Sequence, residues 1–285
     1  MLVHRTKINQ FTVATLNFLS FKTRVCLNNK TGYDGLVNCF IYGHEGEKIK
    51  EVPNIGKIKN NKSFLIDVEN LLSENFLFTK NDYVLTFGIV PEQFNNIEYI
   101  NIDKELLFKL IGPQDHFVEY YNENYSFGVL YNIPPINHKE IGMGSLLLQA
   151  PKIFCSQELN TRLMILNPSA QFEYKTFSRF KYRFLNAAGE CFLKKEVIIN
   201  PNSCLILDIK KTLAEIKNYQ DFIDENDFCQ LQAVCENSTL IPLTIISDEK
   251  NNKHTIEHSM PPIAYDDLMV GERKKDVVKW HAENW

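Results

Sequence analysis

The stretch Phe172-Glu-Tyr-Lys-Thr-Phe-Ser-Arg-Phe-Lys-Tyr-Arg-Phe184 sets aromatic rings at 172, 174, 180, 182 and 184 against Lys175, Arg179, Lys181 and Arg183. Successive side chains of a β-strand point to opposite faces, so this alternation predicts a half-buried antiparallel strand pair. Gly189-Glu190 follows as a hairpin turn. The run Cys204-Leu-Ile-Leu-Asp208 ends on an Asp able to cap a turn of helix, and Ile209-Lys-Lys-Thr-Leu-Ala-Glu-Ile216 supplies helical apolar spacing. A strand at Phe228 to Val234 and a hairpin from Leu243 to His258, around Asp248-Glu-Lys-Asn-Asn252, complete the pattern.

The same order is written earlier in the chain. Cys26-Leu27-Asn28 matches Ile165-Leu166-Asn167, and Phe40 to Glu47 matches Phe184 to Glu190. Ser63-Phe-Leu-Ile-Asp67 matches Cys204 to Asp208, Asn81-Asp82-Tyr83 matches Asn226-Asp227-Phe228, and Pro134-Pro135 matches Pro261-Pro262. The separation between partners stays near ~140 residues and drops once, which places an insertion of about 18 residues in the first copy, at Gln93 to Gln114. The chain therefore reads as all-β: two tandem, internally duplicated antiparallel β-sandwich domains, Ig-like or jelly-roll-like, each with a short helical crossover. The expected boundaries are 10–136 for domain 1, with the insertion at 93–114, and 145–263 for domain 2. Residues 264–285 form a C-terminal tail. Phe11 to Phe21 is expected as the first strand rather than a secretory signal, since Asn17 and two Thr dilute its apolar character.

At 285 residues the chain is long enough for two cores. Its 31 Lys+Arg against 35 Asp+Glu leave a net charge of −4, which offers no basic field for nucleic acid or an anionic membrane. No apolar run approaches the roughly 20 residues of a membrane span. The seven cysteines contain no Cys-x-x-Cys pair and sit in apolar runs, as reduced core thiols of a cytoplasmic protein do. No cofactor is implied, because Gly142-Met-Gly144 lacks both the P-loop lysine and the Rossmann spacing.

Candidate chemistry is sparse. His254 and His258 would share one face of a helix and could grip zinc there, but the segment reads as a strand, where four residues span roughly 13 Å. No metal is expected. Asp115-His116 would be a general-base pair only if the chain turned between them, because strand neighbours face apart. The hairpin from Phe117 to Tyr131 carries aromatics on both faces. Tyr120, Tyr121 and Tyr125 beside Asn122 and Asn124 form a face suited to stacking on a glycan or anchoring a protein partner. The tail holds both tryptophans, Trp280 and Trp285, which should dock on their own domains or on a second subunit of a homo-oligomer. Three readings follow. The first is a non-enzymatic binding or assembly protein. The second is an enzyme on a polar substrate such as a glycan, with Asp115, His116, His254 and His258 in an inter-domain cleft. The third is a structural component of a larger assembly.

Overall fold

The alternation of apolar and polar residues resolves into antiparallel sheets in the computed structural model, which describes residues 2–101, 116–131, 146–149, 153–169, 173–223, 228–238, 240–258, 279 and 281–285. The chain divides into two units. Unit 1 comprises Met1–Asn137 with Pro168–Lys175 and Pro201–Cys204, and unit 2 the remainder. Two short pieces of the second half thus belong to unit 1, an interleaving that the spacing of landmarks does not reveal.

Unit 1 runs β1 (Leu2–His4), β2 (Phe11–Ala14), β3 (Lys22–Asn29), β4 (Gly35–Gly43), β5 (Lys48–Ile58) and β6 (Lys62–Asp67). Helix α1 (Val68–Glu74), β7 (Tyr83–Pro91), β8 (Tyr99–Asn101), β9 (His116–Tyr121) and β10 (Ser126–Tyr131) follow. Its sheets have the orders β2-β7-β4-β5 and β10-β9-β3-β6, with β1 and β8 as a separate pair. Unit 2 runs β11 (Leu146–Gln149), β12 (Ile153–Phe154), β13 (Leu159–Leu166), β14 (Ser178–Leu185), β15 (Cys191–Ile199) and β16 (Cys204–Asp208). Helix α2 (Ile209–Leu213), β17 (Phe228–Cys235), β18 (Ile241–Asp248) and β19 (Lys253–His258) complete it. Its sheets are ordered β11-β17-β14-β15 and β16-β13-β18-β19, with β12 also on β17.

With β1, β8 and β12 set aside and the remaining eight strands of each unit counted in chain order, these two orders coincide. On that count the third strand of each unit lies between the sixth and fourth, and the second between the fifth and seventh. The second–fifth and third–sixth pairings are those of an immunoglobulin sandwich, but the first strand takes the place beside the sixth where an immunoglobulin seventh would lie. Local devices repeat as well. Asp67 accepts from Asn70 N to cap α1, and Asp208 accepts from Lys211 N to cap α2. The turn in which Gly46 N donates to Gly43 O recurs as Gly189 N to Asn186 O. Buried Asn29 donates to the Ile58 carbonyl where β5 ends, as Asn167 donates to Ile199 where β15 ends. Asn29, not its neighbour Asn28, therefore stands in the place of Asn167. Asn28 faces outward and accepts from Ser63 Oγ.

Two boundaries differ from expectation. The strand starting at Phe11 ends at Ala14, because the Asp82 carboxylate takes the Asn17 N–H at 2.8 Å and turns Asn17–Leu19 into a 3-10 helix. Phe172 lies outside the described residues, and between Glu173 and Phe184 regular pairing begins at Ser178. Tyr174 belongs to the piece that joins unit 1.

The core of unit 1 is tied across its two sheets by tyrosines: Tyr120 OH donates to Ala14 O at 2.9 Å and Tyr131 OH to Thr12 O at 2.8 Å. Unit 2 closes over Phe180, Tyr182 and Phe184, the inward set of the opening alternation, with Leu163, Ile165, Ile209 and Leu231. Burial of each such side chain contributes about 2–3 kcal/mol. On the outward face of β17, Val234 is covered by Ala282 and Trp285, and the Arg183 guanidinium lies 5.0 Å from the Trp285 ring. The indole at 285 is half-buried against its own chain. Trp280, both di-proline pairs and Asn226-Asp227 lie outside the described residues. Among the described residues no helix is long and apolar enough to cross a membrane.

Candidate functional site

The residues singled out by sequence do not converge. His116 is fully buried, accepts the Asn28 N–H at 3.1 Å through Nδ1, and lies 5.0 Å from the Phe11 ring. Its neighbour Asp115 is outside the described residues. His254 is buried in unit 2 between Ser247 Oγ at 2.8 Å and Asn252 Oδ1 at 3.2 Å. Burial, reinforced by Arg162, holds its pKa below the ordinary value, and burial alone lowers that of His258. Both sit on the face of β19 that carries Ile256, in the extended spacing that separates them. Among the described residues no three His, Cys, Asp or Glu side chains cluster as a metal site would require.

The aromatic hairpin is committed to its own structure. Tyr120 is wholly buried, so it offers no ring to a ligand. Tyr121 faces outward, but Arg24 covers its ring at 4.3 Å and its hydroxyl donates to Asp67 Oδ2 at 2.7 Å. Tyr125 stacks on Phe127 at 6.0 Å. Asn122 Oδ1 accepts from Asn124 N and Tyr125 N, which closes the turn.

A different site is built in unit 1 on the outer surface of the sheet β2-β7-β4-β5. Gly88, in the interior of β7, would place a Cβ 1.9 Å from Thr6 O, so only glycine lets the N-terminal segment lie against this strand. The segment is fixed there by the Ile89 N–H to Ile8 O bond and forms a 3-10 turn at Arg5–Lys7, capped by His4 Nδ1 accepting from Thr6 N. Lys7 is carried inward by this turn. A cavity of about 240 Å³ opens beside it, lined by His4, Phe40, Tyr42, Lys48, Tyr99 and Tyr174, with Glu173 and Asn202 at its polar side. Gly46, at φ +93°, also borders the cavity and lets the β4–β5 turn approach the Pro201 carbonyl, which an added Cβ would strike.

The electrostatics centre on Lys7. Its side chain is buried, with Nζ donating to Ser169 O at 2.8 Å and Asn202 Oδ1 at 3.3 Å, and lying 5.8 Å from the Tyr42 ring centre. Burial, with a smaller effect from Lys48, lowers its pKa from 10.5 to about 7. The nearby Glu51 is already engaged by His4 at 3.7 Å, Lys48 at 3.9 Å, Arg5 at 4.0 Å and the Thr6 hydroxyl at 3.2 Å. The His4 ring lies tilted at 4.7 Å from Phe40 and edge-to-face at 5.2 Å from Tyr99, and Lys48 caps the Phe40 ring at 4.3 Å. Aromatic walls with a few convergent polar groups are the composition of a small-molecule site. The legible signal was Gly88 inside the apolar run Tyr83 to Pro91, since glycine there marks a close backbone approach. The wall contributed by Tyr174 and Asn202 carried no signal, because it arrives from the other half of the chain.

No protein-family model matches the sequence, and no curated protein matches it. Among solved structures, a glycosyl hydrolase family 2 member from Bacteroides cellulosilyticus is similar at 7% identity and TM-score 0.21, over 87% of this chain and 27% of that one. A Bacteroides uniformis β-glucuronidase is similar at 10% identity and TM-score 0.18, over 88% and 25%. A chain of Sulfolobus turreted icosahedral virus is similar at 9% identity and TM-score 0.23, over 100% and 95%. The chain thus spans about a quarter of the length of the two glycosidases, and at these TM-scores the likenesses bear on neither fold nor chemistry.

Proposed function

We propose that this chain is a non-enzymatic binding protein made of two copies of one sandwich unit, and that unit 1 holds a small polar ligand, such as the terminal sugar of a glycan, in the cavity beside Lys7. The observation that carries the reading is a buried ammonium group facing a cavity walled by aromatic rings. A buried lysine is unfavourable for folding, and a sheet that needed only packing would place an apolar side chain there. The coincident strand orders and repeated caps support duplication, while the cavity belongs to unit 1 and draws on His4 and Lys7, which precede the repeat. The test is a screen of mono- and oligosaccharides by protein NMR on the full chain. Ligands that shift the Tyr42 and Tyr99 resonances, and lose binding in Tyr99→Ala without loss of thermal stability, are expected. Binding that survives Tyr99→Ala unchanged contradicts this site.

A second reading, assembly, rests on the outer face of the β10-β9-β3-β6 sheet. Leu130, Phe117, Cys26 and Leu65 pair in one line across all four strands, and Leu130 and Leu65 are 55% and 62% exposed. A two-fold axis through the middle of this row would set each Leu65 against Leu130 of the partner subunit, the self-complementarity that a symmetric dimer needs. Light scattering decides: a dimer that Leu65→Asp converts to monomer supports it, and a monomeric wild type removes it.

A further inference from the structure

We propose that the ligand of the unit 1 cavity presents an anionic oxygen, of a carboxylate or a phosphate, to Lys7 Nζ. The inference rests on the binding reading above and names the ligand's charge. An ammonium group has three donors. Two are used, on Ser169 O and Asn202 Oδ1, and among the described residues the third has no acceptor. Both partners are neutral, and no carboxylate of the described residues lies within ion-pairing distance of Lys7, in contrast to His4, Arg5 and Lys48, which converge on Glu51. Buried cations are ordinarily paired, because desolvation without a counter-charge is costly. An anion entering the cavity would supply both the missing acceptor and the missing charge.

The surroundings favour the same sign. The groups facing Lys7 are His4 from β1, Lys48 from the start of β5, Tyr42 from β4, Tyr99 from β8, and Glu173, Tyr174 and Asn202 from the two returning pieces. Of these, Glu173 is the one carboxylate, and it is exposed at the margin, where water screens it. Lys48 adds a second positive group above Phe40. The rings of Phe40, Tyr42 and Tyr99 would cover the uncharged part of the ligand, so the site suits a compact acid with an apolar or ring-shaped body rather than a free inorganic ion alone.

The experiment is a titration of the full chain, labelled with 15N at the lysine side chains, with sodium acetate, inorganic phosphate and neutral methyl glucoside as separate probes. The Lys7 signal is assigned by its loss in Lys7→Gln. Acetate or phosphate should shift the Lys7 Nζ resonance, raise its titration midpoint by about one pH unit or more, and perturb the Tyr42 ring. Acetate stays ionised throughout, so a one-unit rise in the Lys7 midpoint implies an affinity that falls about tenfold between about pH 6 and pH 9 as Lys7 deprotonates. The stronger of the two anions identifies the ligand as carboxylate or phosphate. Methyl glucoside that binds at Tyr42 and Tyr99 while neither anion moves Lys7 overturns the proposal and leaves the pocket reading standing. If none of the three probes perturbs the cavity, both fall.

Discussion

Replacing Lys7 with methionine should stabilise the protein in acid and lose that advantage as the pH rises. The folded state holds Lys7 at a pKa of about 7, against 10.5 in a solvated chain. At about 1.4 kcal/mol per pH unit, that difference amounts to a cost of about 5 kcal/mol, borne in full below pH 7, where the folded protein must keep a charged amine buried. Between about pH 7 and pH 10 the unfolded chain binds one more proton than the folded one, so wild-type stability climbs with pH and the cost fades. Methionine is close to isosteric and carries no charge. It forfeits the bonds to Ser169 O and Asn202 Oδ1, a loss of about 1–3 kcal/mol that does not vary with pH. The assay is urea unfolding of both proteins, followed by far-UV circular dichroism at several pH values. The difference in unfolding free energy, Lys7→Met minus wild type, should be most favourable near pH 6 and fall by about 1.4 kcal/mol per unit above pH 7. Taking the difference cancels the titrations of His254 and His258, which both proteins share. A difference that stays flat from pH 6 to pH 10 would show that Lys7 keeps an ordinary pKa, and the argument built on its burial would fail.

Three further outcomes follow from the packing. Tyr120→Phe and Tyr131→Phe should each destabilise unit 1 by about 1–2 kcal/mol, because each leaves a buried carbonyl without its hydroxyl donor; thermal melts that match wild type would show the sheet-to-sheet bonds to be idle. Asn29→Ala and Asn167→Ala should cost similar amounts, about 2–4 kcal/mol, since each amide holds the carbonyl at the end of the equivalent strand; strongly unequal losses would mean that the two positions are not equivalent. Deleting residues 279–285 should uncover Val234 and lower the melting temperature by a few degrees with no change in mass by light scattering, whereas a change in mass would move the tail's role to assembly.

How much of this was legible depends on whether the information was local. The alternation from Phe180 to Phe184, the caps Asp67 and Asp208, and the turns at Gly46 and Gly189 are each specified by a few consecutive residues, and each was readable. The landmark Asn28 was misplaced by one residue because two asparagines adjoin, and only the face of the strand distinguishes buried Asn29 from half-buried, outward-facing Asn28. The aromatic hairpin misled for a related reason. Composition cannot show that Tyr121 is covered by Arg24, or that Tyr120 reaches Ala14 across the sandwich. The cavity was invisible because its parts are scattered: His4 and Lys7 at the start, Tyr99 inside the insertion, and Tyr174 and Asn202 from the other half of the chain. Gly88 was its single local trace.

The most direct test of the central claim is a crystal structure of the full chain grown with the tightest ligand from the saccharide and anion screens. Density is expected between Tyr42 and Tyr99 with an oxygen in hydrogen-bond contact with Lys7 Nζ, completing the set begun by Ser169 and Asn202. Ligand density at any other place, with the cavity beside Lys7 empty, would contradict it.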